Sequence, residues 1–495
     1  MSHKVLVITI SLYLTACALS EQENAEVTHL QKPNLVFVLT DEQRYDTSAP
    51  YGNAQIRTPN LNKLGEEGIV FINAYVTQPH CSPARSTILT GLYPHTTGVT
   101  TNNIPLPEAI NTLPELIDDS EYATAYIGKW HLGNELEAWQ GFETRISTED
   151  GYTGDATTKF SDYHYWLLDK GYVPDNKDSR TFSRSFAATL PYAHTKSKFM
   201  EEEALAYLEA HQNNPFILYL GFLEPHTPNT GPFNDLHDPA AITLDETYGM
   251  PLKEDAPLRE HIIAAASKNL DIDALKTEMA KYWGLVHQVD LSVGAIREKL
   301  HELNLEENTI IVYTSEHGKM MGKFNLAPKR LMYEPSSRIP WIMHVPAMHA
   351  VVITQAVSHI DLVPTLLELV GKKVPDQMQG KSLLPLITGE SATNDPVFIE
   401  WNPFLTRRYD KPDSLSDERF DEVIFQRMRT VVTQDGWKLN WSEQEIDQSQ
   451  LFNLQDDPQE LHNLYEVDEY QNKVRELKEI IKTWQQQTSD TVKME

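Results

Sequence analysis

Cysteine is scarce in this chain, with two among 495 residues, Cys17 and Cys81. Cys81 opens the segment CSPARSTILTG, where Ser82 is a favourable N-cap, Pro83 suits the first helical position and Gly91 suits the helix end. A side chain just ahead of a helix start meets free N–H groups and the positive end of the helix dipole. Arg85, in the first turn, can reach back to the same spot, which makes it a place for an anion. A capped helix with a buried thiol is the other reading of these residues. Elsewhere, ionisable side chains closely follow apolar runs: Asp41 and Glu42, Lys129 and His131, Glu224 and His226, Glu316 and His317. Acids, histidines and lysines are the groups that bind cations, carry protons and hold anions.

The elements that would position these groups are legible in the same stretches. NLVFVLT (34–40), ATAYIG (123–128), PFILYLGFL (215–223) and NTIIVYTS (308–315) are short apolar runs and are predicted to be buried strands. TPNLNKLGEEGIVF and KTEMAKYWGLVHQVDLSVGAIREKLHEL are predicted helices. The alternation predicts an α/β domain with a mostly parallel central sheet flanked by helices. Each ionisable pair comes directly after a strand, and open α/β sheets bind ligands beyond the carboxyl ends of their strands. One such pair would be noise; four predict a site. Beyond about residue 385, PVFIEW, MRTVVTQDGWKLNW and QLFNL read as short antiparallel strands ahead of a terminal helix around EYQNKVRELKEIIKTWQQQ. The expected division is an α/β domain over 32–384 and a smaller C-terminal α+β subdomain over 385–495. Stretches 145–200 and 226–270 read as long insertions of the kind that shape substrate sites.

Composition is that of a globular protein, 40% hydrophobic and 23% charged. A net charge of -29 and a pI near 5.0 argue against nucleic acid as a partner, which needs a basic footprint. A few converging cations could still hold an anionic ligand in a pocket. The N-terminus MSHKVLVITISLYLTACALS joins Lys4 to an apolar run from Val5 to Leu14 and then small residues, the form of an export signal too short to span a bilayer. LTAC resembles a bacterial lipobox. It would make 1–16 a lipoprotein signal peptide, Cys17 the lipidated (palmitate-bearing) first residue and 17–31 a polar tether. The protein would then be anchored in the bacterial cell envelope, at the outer membrane, facing the periplasm or the cell surface. An ordinary signal peptide with an incidental Cys17 is the alternative. With Cys17 lipidated, Cys81 has no disulfide partner in the chain.

CSPAR followed by STILTGLYPHTTGV resembles the signature of the formylglycine-dependent sulfatases, type I sulfatases of the alkaline-phosphatase-like superfamily: Cys-X-Pro-X-Arg and then Thr-Gly. PNLVFVLTDEQ, GKWHLG, EPHTP, YTSEHG, KRLMYEPSSRIP, VSHIDLVPTLLELVG and QLFNLQDDPQELHNL are similar to family patterns in the family's order. The resemblance covers about residue 32 to 465. It implies that a formylglycine-generating enzyme oxidises Cys81 to an aldehyde (3-oxoalanine) whose hydrate is the nucleophile. It also implies one calcium ion, held by Asp41, Glu42, Glu316 and His317 together with residue 81. The family more often has Asp where this chain has Glu42 and Glu316, so carboxylate position or binding mode can differ. The ring nitrogen of His317 leaves a transition metal as the alternative.

Arg85, Lys129 and Lys329 match the family's positive residues around the sulfate, where fixed cations stabilise a group of spread negative charge. Lys329 rather than Arg330 takes that position, four residues before Tyr333. His131 and His226 match the family's proton carriers. By that analogy one hydroxyl of residue 81 attacks sulfur, and His226, with Lys329, protonates the leaving oxygen. His131 then deprotonates the second hydroxyl so that sulfate departs. Lys129, His226 and Lys329 would also contact the substrate. His80 could border the pocket, although it and His95 are as readily structural.

The implied function is hydrolysis of sulfate esters, with a sulfated polysaccharide or its oligosaccharides as the substrate class. Tyr163, Tyr165 and Trp166 either stack on sugars or belong to the core. Two other classes fit the same residues: a phosphonate or phosphate ester hydrolase of the superfamily, and a non-catalytic glycan-binding lipoprotein on a sulfatase scaffold, suggested by Glu42 and Glu316. The acidic surface would repel long polyanions and so favours oligosaccharides.

Overall fold

Both alternating sets of side chains in NLVFVLT are apolar, so a strand made from it needs cover on two faces. In the computed structural model, which describes residues 32–137, 140–150, 159–267, 270–391, 393–443 and 448–494, it has that cover. β1 (Asn34–Thr40) lies inside an eight-stranded sheet, with Leu35, Phe37 and Leu39 in one core and Val36 and Val38 in the other. Its companions are β2 (Ile69–Tyr75), β3 (Ala123–Gly128), β4 (Thr144–Ser147), β5 (Phe216–Gly221), β6 (Thr309–Ser315), β7 (Arg338–His344) and β8 (Val351–Ser358). They stand in the order β4-β3-β5-β1-β6-β7-β2-β8. β7 runs antiparallel to β6 and β2, and the other pairings are parallel. The sheet is therefore mostly parallel, as the strand–helix alternation predicts.

Helices cover both faces. Ile88 and Leu89 of the helix Cys81–Thr90 share one core with Leu362 and Leu366 of Leu362–Leu369. Leu61 and Leu64 of Pro59–Glu67, Phe199 of Lys196–Ala210 and Val289 of Ile272–Glu302 enter the other. Two local expectations differ from what is found. The helix expected over TPNLNKLGEEGIVF ends at Glu67, because Ile69, Val70 and Phe71 are taken into the sheet as β2. Gly68 makes the switch: a Cβ there would sit 2.5 Å from the Met343 carbonyl oxygen. The second helix starts at Cys81, with His80 in extended backbone as its cap, two residues earlier than Ser82 would give. Ser82 Oγ instead donates to the His131 carbonyl at 2.7 Å. Gly91 closes that helix in the left-handed region, φ 67°.

The second sheet is antiparallel, β9 (Val397–Trp401), β10 (Met428–Val432), β11 (Trp437–Ser442) and β12 (Gln450–Asn453), in the order β12-β11-β10-β9. The terminal helix Gln471–Thr488 presents Val474, Leu477, Ile481 and Trp484, spaced by three or four residues, to Val431, Leu439 and Leu451 of this sheet. Tyr75 and Ala356 of the large sheet share a core with Val397 and Ile399. Within 145–200, Tyr163 is buried and donates its hydroxyl to the His194 carbonyl, Trp166 packs on Phe199, and Tyr165 is exposed. The signal peptide, the tether and Cys17 (1–31) lie outside the described residues.

Candidate active site

Four neighbouring parallel strands, β3-β5-β1-β6, end along one edge, and the ionisable pairs follow their last residues. Main-chain bonds continue past the strands and fix the register there. Lys129 N donates to Gly221 O at 2.8 Å, Asp41 N to Glu224 O at 3.3 Å and Glu316 N to Thr40 O at 3.0 Å. Glu42 and His131 both take positive φ, 64° and 60°, a conformation that non-glycine residues adopt where the surroundings impose it.

The Cys81 helix is buried along its whole length, and its first side chain points into this edge. Ligand atoms of Asp41, Cys81, Glu316 and His317 all lie within 4.8 Å of one another, and all four residues are buried. Each carboxylate is half neutralised. Lys129 Nζ donates to Asp41 Oδ2 at 2.5 Å, and Arg85 Nε is paired with Glu316 Oε2. Asp41 Oδ1 and Glu316 Oε1 are buried with no hydrogen-bond partner, and His317 Nε2 stands 2.9 Å from the latter. Two bare carboxylate oxygens and a ring nitrogen converging in a buried space are a donor set that fits a divalent cation.

Glu42 belongs to a second, overlapping group with Asp41 and His226. It faces three positive or protonatable partners: Lys329 at 2.8 Å, Lys319 at 2.9 Å and His226 Nε2 at 3.2 Å. Lys329 Nζ also donates to Cys81 Sγ at 2.8 Å. Burial opposes ionisation of the thiol, but Lys329 and Lys129 outweigh it and hold its pKa well below the ordinary thiol value. Burial likewise opposes the charge on Lys329, and Cys81, Glu42 and Asp41 overcome it and raise its pKa. His131 hydrogen-bonds to Cys81. Burial lowers the pKa of His226 despite Glu42 and Asp41, and its Nδ1 lies 2.8 Å from the Thr227 carbonyl.

The structure thus gathers Asp41, Glu42, Cys81, Arg85, Lys129, His131, His226, Glu316, His317 and Lys329 at one edge. Glu224 does not join them: it turns toward Gln288, whose Nε2 donates at 3.2 Å. His80 is buried next to Cys81, edge-on to Phe404, and burial depresses its pKa. His95 is a strut between the two sheets' regions, 2.7 Å from Glu400 and 3.1 Å from the Thr488 carbonyl. Sequence reasoning missed Lys319. It also missed Glu135, which receives the main-chain N–H groups of Trp130 (2.9 Å) and His131 (2.6 Å) and so shapes the turn that delivers His131. The spacing of a turn-forming acid four residues after His131 was the available signal. A cavity of about 610 Å³ opens beside Glu42, His226 and Lys329, with Ile263, Leu275 and Met321 on its apolar wall.

A mostly parallel sheet that gathers cations, paired carboxylates and a helix-borne cysteine at its edge defines an alkaline-phosphatase-like hydrolase of anionic esters. Comparison with known proteins refines that class. Residues 33–372 match the family model described as Sulfatase, and 322–487 match that of the N-sulphoglucosamine sulphohydrolase C-terminal region. The chain belongs to the sulfatase family and is a type I sulfatase, a sulfuric ester hydrolase. It is 26% identical to an N-acetylglucosamine-6-O-sulfatase of Bacteroides thetaiotaomicron, over 97% of this chain and 91% of that protein. Among solved structures it is similar in fold to a phosphonate monoester hydrolase from Silicibacter pomeroyi (TM-score 0.76, 20% identity, 93% and 96% covered). It is likewise similar to a protein solved with its substrate D-glucosamine-2-N,6-O-disulfate (TM-score 0.71, 24% identity, 93% and 98% covered).

Proposed function

We propose that this hydrolase removes sulfate from a sulfated sugar or oligosaccharide, using residue 81, converted from cysteine to formylglycine, as its nucleophile. The observation that carries the reading is the setting of Cys81. It starts a buried helix, lies 2.8 Å from the Lys329 ammonium and shares a 4.8 Å cluster with Asp41, Glu316 and His317. A thiol kept for packing alone has no use for lysines and bare carboxylates around it. The carbohydrate part is supported by the N-acetylglucosamine-6-O-sulfatase relative and by the glucosamine disulfate bound to the structural neighbour.

Asp41, Glu316 and His317, with Glu42 alongside, would hold Ca²⁺, whose preference for hard oxygens matches their carboxylates. When bound, that ion supplies further fixed positive charge toward the sulfate oxygens. The chain's own groups do the rest. Lys129 and Lys329 bracket the reacting side chain, and Arg85 braces Glu316 and the Lys129 carbonyl, so charge that develops on the sulfate meets preorganised cations. His226 carries a proton for the leaving oxygen: its Nδ1–H donates to the Thr227 carbonyl, which leaves Nε2 at the cavity as the exchanging position. His131, hydrogen-bonded to residue 81, receives a proton from that side chain.

A phosphonate ester hydrolase is the second reading, favoured by the fold shared with the Silicibacter enzyme. The test is protein coexpressed with a formylglycine-generating enzyme and assayed on an aryl sulfate, an aryl phosphonate and a panel of sulfated sugars. Sulfate turnover should exceed phosphonate turnover, and the peptide bearing residue 81 should be lighter than its cysteine form by mass spectrometry. Phosphonate turnover well above sulfate turnover moves the chain to the second reading, and full activity of Cys81→Ala refutes the nucleophile. Glycan binding with no turnover anywhere would leave a binding scaffold. For the cation, chelation should lower the melting temperature and Ca²⁺ restore it; a melting curve indifferent to both sinks calcium. The Cys17 anchor and the envelope location rest on Lys4, the apolar run Val5 to Leu14 and LTAC. Cys17→Ala should shift the protein from the membrane pellet to the soluble fraction, and unchanged pelleting rules the anchor out.

A further inference from the structure

Beside the reaction centre stand three arginines that form no ion pair with a carboxylate among the described residues. Arg330 and Arg408 lie over the same ring, that of Phe404, at 4.9 Å and 5.1 Å from its centroid. Phe404 in turn meets His80, the cap of the Cys81 helix, edge-on at 5.1 Å. Arg259, buried, stacks over Trp401 at 4.5 Å and donates to the Arg330 carbonyl at 2.9 Å, which braces the loop that carries Lys329 and Arg330. Among the described residues no carboxylate comes within 4.0 Å of any of the three guanidiniums. The neighbouring Arg407 shows the ordinary arrangement, paired with Asp417 at 2.9 Å and Asp421 at 2.6 Å.

Arg330 and the solvent-exposed Arg408 thus place two positive charges near one ring, with no carboxylate among the described residues in ion-pair reach of either. In a chain of net charge -29, acids to pair with them are abundant, so their absence here points to a ligand. The cavity supplies a second observation. Arg330 and Tyr409 line it together with His226 and Lys329, and Arg330 Nε and Tyr409 Oη are buried without a hydrogen-bond partner. A buried polar atom left unpaired costs about 1–3 kcal/mol, so two of them in one cavity are groups that wait for a partner. Apolar walls with a few convergent donors are the usual make-up of a ligand site.

We propose that Arg330, which lines the cavity, together with the exposed Arg408 on the same Phe404 ring, binds a second anionic group of the substrate, a sulfate or a carboxylate on the sugar that occupies the cavity. The enzyme then prefers substrates with two negative groups over those with one. This rests on the sulfatase reading, and the experiment separates the two. Wild-type and Arg330→Gln/Arg408→Gln proteins are compared on glucosamine 6-sulfate, on glucosamine-2-N,6-O-disulfate and on a monosulfated disaccharide bearing a uronic acid. Turnover gives kcat/KM, and calorimetry on the Cys81→Ala forms of both proteins gives Kd without turnover.

Charge-assisted hydrogen bonds of this kind correspond to roughly ten- to hundredfold. Wild type should favour one or both doubly charged ligands by about that factor, and the double substitution should remove the preference. Preference for the disulfate alone assigns the second group as sulfate, and for the uronate alone as carboxylate. A preference that survives the double substitution overturns the subsite, as does an equal loss on singly and doubly charged ligands. No sulfate turnover by wild type, with a Kd preference that the substitutions abolish, overturns the sulfatase reading and upholds the subsite.

Discussion

Lys329 is the side chain on which the charges of the site meet, since its ammonium touches both Cys81 Sγ and Glu42 at 2.8 Å. Removing one preorganised donor of this kind costs on the order of 10²–10³ in kcat. Lys329→Ala should therefore show that loss in steady-state kinetics on an aryl sulfate, with circular dichroism unchanged, and a kcat within threefold of wild type would show that Lys329 is peripheral. Most of the site's residues were legible in sequence because each stands at a fixed, short distance after a strand or at a helix start, and such local order survives without a structure. The partners of Glu42 were not. That Lys319 and His226 converge on it depends on two loops from distant parts of the chain, and no local pattern encodes their meeting. The arginines around Trp401 and Phe404 were illegible for the same reason, as they come from three separate segments.

The elements impose their own requirements on these residues. β3 ends on Gly128 at φ +107°, and a Cβ there would meet the Gly221 carbonyl oxygen at 2.3 Å. Only glycine lets the chain leave β3 this close to β5 and still place Lys129 N on that same carbonyl at 2.8 Å. Gly128→Ala combines a strained backbone with overpacking, on the order of 2–4 kcal/mol together. A denaturant midpoint well below wild type is expected, with a fall in kcat as Lys129 and His131 shift. An unchanged midpoint and kcat would mean that the exit from β3 is more tolerant than this geometry implies. The central strands β1, β3, β5 and β6 were predicted close to their observed limits, because apolar runs buried on both faces are strong local signals. β2, β4, β7 and β8 were not foreseen. Ile69–Phe71 follows the helix across Gly68 alone, and β8 (VVITQAVS) leaves Val352 and Thr354 exposed at the sheet's edge. Their pairing is decided by contacts across the sheet rather than by their own sequences.

On the scale of the whole molecule, the two sheets are tied together by buried polar groups as well as by apolar packing. Glu260, on the helix Leu258–Ala266, accepts from the Tyr333 hydroxyl at 2.7 Å, and Gln450 at the start of β12 donates to that hydroxyl at 2.9 Å. Burial pushes the Glu260 carboxyl up to about 7, against the opposing effects of Tyr333 and Arg259. A carboxyl raised in the folded state binds a proton that the unfolded chain releases near its ordinary value of 4.5, so the folded form carries the extra proton between those two values. The stability this confers is complete below the unfolded value and is lost as pH rises through about 7. Gln450 and the Tyr333 hydroxyl can bond an amide oxygen as well as a carboxyl, and an amide does not titrate. Glu260→Gln should therefore gain stability relative to wild type between pH 5 and pH 8, by up to about 3 kcal/mol. Any constant cost of the amide cancels when the same pair is compared across pH. Denaturant titrations of both proteins at the two pH values read this directly: a stability difference that stays flat from pH 5 to pH 8 would show that Glu260 is ionised at the junction throughout.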